Sequence, residues 1–101
     1  MYGDSTMCAT VETIKLKPGK LQESIDIMVE LRSEIESIPG RLHMLDVWND
    51  DGLEYMISIW ESPEAKAEAA ARVDEIGAKF GDIFEFFKAE DFPNVEFVIE
   101  K

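Results

Sequence analysis

Polar and apolar positions alternate from Met7 to Leu16, with Ala9, Val11 and Thr13 on one side and Cys8, Thr10, Glu12, Ile14 and Leu16 on the other. That two-residue period predicts a strand, ended by the Pro18-Gly19 turn. From Leu21 the spacing lengthens to three and four. Leu21, Ile25, Met28, Leu31, Ile35 and Ile38 fall on one helical stripe, with Glu23, Asp26, Glu30 and Glu34 outside it, and Pro39-Gly40 stops the helix. Leu42 to Trp48 and Leu53 to Trp60 then read as two strands around Asn49-Asp50-Asp51-Gly52, whose short polar side chains and glycine suit a tight hairpin. A second helix runs from Pro63, with Ala69, Val73, Ile76 and Phe80 as its buried stripe. Ile83 to Phe87 reads as a final helical turn or two, Asp91 to Asn94 as a break, and Val95 to Ile99 as a fourth strand.

The order β-α-β-β-α-β predicts an α+β domain of the ferredoxin-like, split βαβ kind: an antiparallel sheet with both helices on one face. The sharpest transition is Trp60-Glu61-Ser62-Pro63-Glu64-Ala65, where Ser62 can cap the second helix and Pro63 suits its first turn. A large indole is thereby fixed at a strand end beside a helix start, on the same strand face as Met56 and Ser58.

Strands two and three are apolar on both faces. Leu42, Met44, Trp48, Tyr55, Ile57 and Ile59 are expected on one, Leu45, Val47, Met56 and Trp60 on the other. Two helices cover only one side of a sheet, so the second face is expected to pack on the sheet of another copy, giving a homodimer.

Composition narrows the partners. With 22 acidic and 10 basic residues in 101, the formal net charge is −12, which repels nucleic acid and anionic membrane surfaces. The single cysteine, Cys8, has no internal disulfide partner, and no apolar run approaches the roughly 20 residues that span a bilayer. A reducing, cytoplasmic setting is the expectation. Met1 to Thr6 lacks the charged and apolar regions of a signal peptide and reads as a disordered native tail or a cloning remnant ahead of Met7; residues 7–101 read as one domain.

Few residues are equipped for chemistry. If the hairpin sets His43 opposite Trp60 and Leu45 opposite Ser58, then His43, Ser58, Trp60, Leu45 and Met56 line one pocket, with Glu12 entering from strand one. His43 would be the base, Ser58 a donor and Trp60 a stacking wall for a flat substrate. The plainer alternative makes His43 an edge residue and Trp60 a packing residue. A cavity of roughly 300 Å³ or more with both exposed inside it would favour ligand binding. Asp50-Asp51 offers too few oxygens for a calcium site, and Glu61, Glu64 and Glu68 suit a helix start without any metal. No metal site is expected.

Three segments carry a family resemblance: the first strand followed by Lys17-Pro18-Gly19-Lys20, the helix end Ile38-Pro39-Gly40, and Trp60-Glu61-Ser62-Pro63-Glu64-Ala65. Over Ala9 to about Ala70 the chain resembles the antibiotic biosynthesis monooxygenase family of dimeric α/β-barrel proteins, and the rest follows by element order. The resemblance implies a barrel of two face-to-face sheets, with a pocket between the helices and sheet of each subunit. It implies cofactor-free oxygenation of an aromatic or quinol-like substrate, in which a desolvating pocket removes a proton and the resulting anion passes an electron to dioxygen. The asparagine and tryptophan that the quinone-forming members place on strand three correspond here to Met56 and Trp60. The haem-degrading members' positions fall close to Glu12, Ala69 and Lys79, so the resemblance implies no haem and no other cofactor. The leading expectation is a small cofactor-independent monooxygenase. The alternative is a non-enzymatic dimeric barrel that binds a small apolar metabolite or has a stress-related or accessory role.

Overall fold

The computed structural model describes residues 6–99; the expectation for Met1 to Ser5 lies outside them. Thr6 is placed, its hydroxyl donating to the Glu61 carbonyl at 2.9 Å. The elements are β1 (Cys8–Leu16), α1 (Leu21–Glu36), β2 (Arg41–Trp48), β3 (Leu53–Trp60), α2 (Pro63–Ala78) and β4 (Phe84–Phe92). They build one four-stranded antiparallel sheet in the order β2-β3-β1-β4, the ferredoxin-like arrangement that the element order implies.

The hairpin closes differently from the expected register, with a large consequence. Asn49 N–H donates to the Leu53 carbonyl, and the Asn49 side-chain oxygen accepts from Asp51 N–H and Leu53 N–H at 3.0 and 3.1 Å. The connection is therefore a three-residue loop, Asp50-Asp51-Gly52, with Gly52 at φ +82° in its left-handed position. This sets Trp48 opposite Glu54, Asp46 opposite Met56, Met44 opposite Ser58, Leu45 opposite Ile57 and His43 opposite Ile59, before the register shifts between His43 and Arg41. A slip of one residue exchanges the faces of a strand. His43 and Leu45 thus share the helix-free face with Ile59 and Ile57, and the expected pairings of His43 with Trp60 and of Leu45 with Ser58 are not formed. Met44 and Trp48 correspondingly share a face with Met56 and Trp60.

The C-terminal part also differs. Ile83 to Phe87 belongs to no helix: Ile83 accepts from Lys17 N–H at 2.8 Å and β4 begins at Phe84. The β1–β4 register shifts between Lys15 and Leu16, where Phe86 and Phe84 face them and Glu85 is the extra residue. That bulge interrupts the two-residue alternation of Phe84, Phe86 and Phe87 and makes the segment imitate a helical spacing. The strand stops before Pro93, which lacks the N–H a ladder needs, and Val95–Ile99 carries no strand.

On the helix side, Ile14, Leu16, Leu31, Ile38, Trp60, Ala69, Ile76, Phe80 and Ile83 form the core together with the free thiol of Cys8. Ser62 caps α2 by accepting from Ala65 N–H at 3.0 Å, with Pro63 opening the helix. Two of the sequence signatures meet here. Gly40, at φ +81°, has its backbone against Ala65, and its carbonyl accepts from Glu61 N–H at 2.9 Å. The end of α1 and the start of α2 are thus locked together.

Candidate functional site

Between the helices and the sheet lies a cavity of about 440 Å³, walled by Met28, Met44, Met56, Ile76 and Phe80 among others, with Glu12, Glu54 and Asp74 also in its lining. A second hollow of about 510 Å³, along α1 and β2, shares its Met28, Ile35, Ile38, Arg41, Met44 and Glu54 wall and adds Asp46.

The register explains why carboxyl groups converge here. Glu12 lies opposite Met56 on β1–β3, Asp46 opposite the same Met56 on β2–β3, and Glu54 is two residues from Met56 on β3, so all three project from the helix-side face. Glu54 is only 4% exposed. Burial, a hydrogen bond with Asp46 and the charges of Asp46 and Glu12 push its carboxyl up to about 8. Asp46 Oδ1 is buried and has no hydrogen-bond partner among the described residues. Glu12 is raised by burial, against the opposing pull of Arg41. The Arg41 guanidinium is lowered by burial, against the pull of Glu12, while it donates to the Ile35 carbonyl and sits 5.7 Å over the Trp60 ring. The site therefore brings Glu12, Asp46 and a Glu54 carboxyl that holds its proton to about pH 8 together in an apolar enclosure.

This arrangement carries a pH dependence. The folded state keeps the Glu54 proton up to about pH 8, whereas the unfolded chain loses it near 4.5, so stability is greatest below the lower value and falls as pH rises through the higher one. Because the cavity admits water, we expect a loss of about 2 kcal/mol rather than the roughly 5 of the unscreened shift. Glu54→Gln keeps a donor to Asp46 without the titration. Its urea midpoint should match the parent at pH 5 and exceed it at pH 8.5; parallel pH profiles for the two proteins would contradict this environment.

Of the residues singled out from sequence, Glu12 and Met56 line the cavity. Trp60 and Ser58 share their face but are 3% exposed, packed behind the lining, and Trp60 Nε1 has no hydrogen-bond partner. His43 borders the second hollow at the edge strand, facing Ile59, and Leu45 is on the far face. The structure does not gather His43, Ser58, Trp60 and Leu45 into one pocket. The residues that sequence reading passed over are Arg41, Asp46 and Glu54. The signal for Glu54 was a lone charged residue in the otherwise apolar β3, and for Arg41 and Asp46 charged residues interrupting the apolar β2. Among the described residues no group of His, Cys, Asp and Glu is placed to hold a metal ion.

No family model matches the sequence, and no curated protein does. Solved structures do match. A protein described as a candidate antibiotic biosynthesis monooxygenase from Caulobacter crescentus CB15 superposes with a TM-score of 0.77 at 20% identity, over 91% of this chain and 92% of its own. SnoaB, a cofactor-independent oxygenase from Streptomyces nogalater, gives 0.76 at 12% identity, over 94% and 99%. Its fold is that of the antibiotic biosynthesis monooxygenases. A conserved protein from Methanosarcina mazei Go1 shares the same fold, with a TM-score of 0.77 at 15% identity over 94% of this chain and 100% of its own. At these identities the antibiotic biosynthesis monooxygenase fold is what is shared, and side-chain chemistry has to be argued from the cavity itself.

Proposed function

We propose that the chain is a cofactor-independent monooxygenase that acts, as a cytoplasmic homodimer, on a small aromatic or quinol-like substrate held in the helix–sheet cavity. The observation that carries this reading is the placement of Glu12 and Glu54 on the wall of an apolar, aromatic-lined cavity of about 440 Å³, with Asp46 beside Glu54 in the adjoining hollow. The cofactor-independent oxygenase activity named for SnoaB supports it by analogy.

A substrate with an acidic C–H or O–H can lose its proton to Glu12, which stands beside Arg41 and whose basicity is raised by burial. The substrate anion then passes one electron to dioxygen, and the two radicals combine at carbon. Glu12 can then return its proton to the resulting peroxide. Loss of water converts a ring methylene to a carbonyl: one oxygen atom enters the product, the other leaves as water, and the substrate is the reductant. The chain's part is to desolvate, orient and move protons. His43, Ser58 and Trp60, the first candidates from sequence, take no step in this scheme; Met56 and Glu12 remain as pocket residues, and Glu12 takes the part of base expected of His43.

The burial of Trp60 and Ser58 favours a second reading, a dimeric barrel that binds an apolar metabolite without turnover. Oxygen uptake measured with a panel of anthrones, hydroquinones and phenols separates the two. Uptake that falls at least 100-fold in Glu12→Gln, with tryptophan-fluorescence binding retained, is the result expected of a base. Binding by the parent protein without any uptake would leave the carrier reading in place.

A further inference from the structure

The helix–sheet cavity joins two surfaces of different character. On one side Phe80, Phe84 and Phe87 stack in sequence, with ring centroids 5.8 Å apart at 28° and 6.2 Å apart at 11°, and all three line the cavity. Such a ladder offers a flat ring a stacking surface. On the other side stands the Asp46–Glu54 pair, Glu54 shared between cavity and hollow.

Among the described residues the pair has no cation. Arg41 is engaged by the Ile35 carbonyl, the Trp60 ring and the charge of Glu12. Arg32, the other arginine at the hollow, is bound to Glu36 at 2.6 Å. Among the described residues no lysine lines either space, and Asp74 from α2 adds further negative charge at the cavity wall. Asp46 Oδ1, fully buried, receives nothing from an N–H. Asp46 Oδ1 and the buried Glu54 carboxyl thus stand side by side without a cation among the described residues, and a positively charged donor is the partner that would hold both in ionised form.

We propose that this cavity selects a flat aromatic amine, with the ring on the Phe80–Phe84–Phe87 ladder and the protonated nitrogen on the Asp46–Glu54 pair. The inference rests on the cavity being the ligand site, as proposed above, and names the ligand's charge class. A metal ion in the same place is disfavoured, since among the described residues no side-chain group is arranged to ligate one. A carboxylated arene would meet Glu12, Asp46, Glu54 and Asp74 with only the engaged Arg41 in compensation.

Binding a cation here displaces the Glu54 proton. Titration calorimetry with 2-naphthylmethylamine, 2-naphthylmethanol and 2-naphthoate, in two buffers of different ionisation heat, reads both affinity and proton release. We expect the amine to bind at least about tenfold more tightly than the alcohol at pH 7.5, the naphthoate to show no binding, and proton release to approach one per amine at pH 7 and fade by about pH 9. Glu54→Gln should abolish the release, and it and Asp46→Asn should each bring amine and alcohol to within about twofold of each other, with alcohol binding kept as the check on folding. Amine and alcohol binding alike to the parent protein would overturn the charge assignment and leave the aromatic cavity standing. Preferential naphthoate binding, or an unchanged amine preference in both variants, would also overturn it. If no probe binds, this inference fails together with the cavity as a ligand site, whereas oxygen uptake without amine preference separates the two failures.

Discussion

Replacing Gly40 by valine is expected to destabilise the protein by about 3 kcal/mol and to lower its melting temperature by roughly 15 °C. Two costs act together. The backbone at Gly40 has φ +81°, in the left-handed region where an L side chain costs about 1 kcal/mol and a β-branched one more. A Cβ there would also stand 2.6 Å from the Ala65 side chain and 3.6 Å from Glu61 Oε1, and neither α2 nor the Glu61 N–H to Gly40 carbonyl bond can yield without opening the junction between the helices. Gly19 is the control. Its φ of +78° is nearly the same, but nothing lies within 4 Å of its missing Cβ. Gly19→Val should therefore cost only the backbone share, about 1 to 2 kcal/mol. Equal losses for the two variants in calorimetry would show that the contact with Ala65 contributes nothing.

The same junction shows what the sequence makes legible. Pro39-Gly40 and Ser62-Pro63 each punctuate the chain through local chemistry, a left-handed glycine and a side-chain cap, so each can be read without knowing what it touches. Their contact across the fold is tertiary and leaves no local trace. The two helices and the first three strands follow from periodicity for the same local reason. The fourth strand does not, because the bulge at Glu85 breaks its alternation and Pro93 ends it before the apolar run of Val95 to Ile99.

The candidate site was harder to read because it depends on one residue of register. Asn49-Asp50-Asp51-Gly52 predicts a tight hairpin under either closure, yet only the three-residue loop turns Met44 and Asp46 towards the helices and His43 and Leu45 away. An inward Asp46 beside Glu54 then makes the cavity acidic, whereas an inward His43 would have made it a histidine pocket. Side-chain type drew attention to His43 and Trp60. The strand pairing draws it to the carboxyl groups.

The register also fixes the other face of the sheet, and the second large effect is expected there. Val11, Ile57, Ile59, Leu45, Val47, Tyr55 and Phe86 occupy the helix-free side; Leu45 is 57% and Phe86 50% exposed. A contiguous apolar face of this kind on a short chain is the surface we propose to be covered by a second copy. Ile57→Asp places a carboxylate at its centre, next to Leu45 and Val11. Association would then bury an unpaired charge at a cost of about 3 to 5 kcal/mol, weakening the dimer by roughly 100- to 5,000-fold. Ile59→Asp should behave alike. Val29→Asp, at a site 70% exposed on α1, should leave assembly intact. Sedimentation velocity at micromolar concentration should show a parental dimer that Ile57→Asp converts to monomer or aggregate. A parent protein that sediments as a monomer would remove the dimer from the proposed function. An Ile57→Asp dimer as stable as the parent would instead place the interface elsewhere, because no apolar contact at the centre of this face tolerates a buried, unpaired carboxylate.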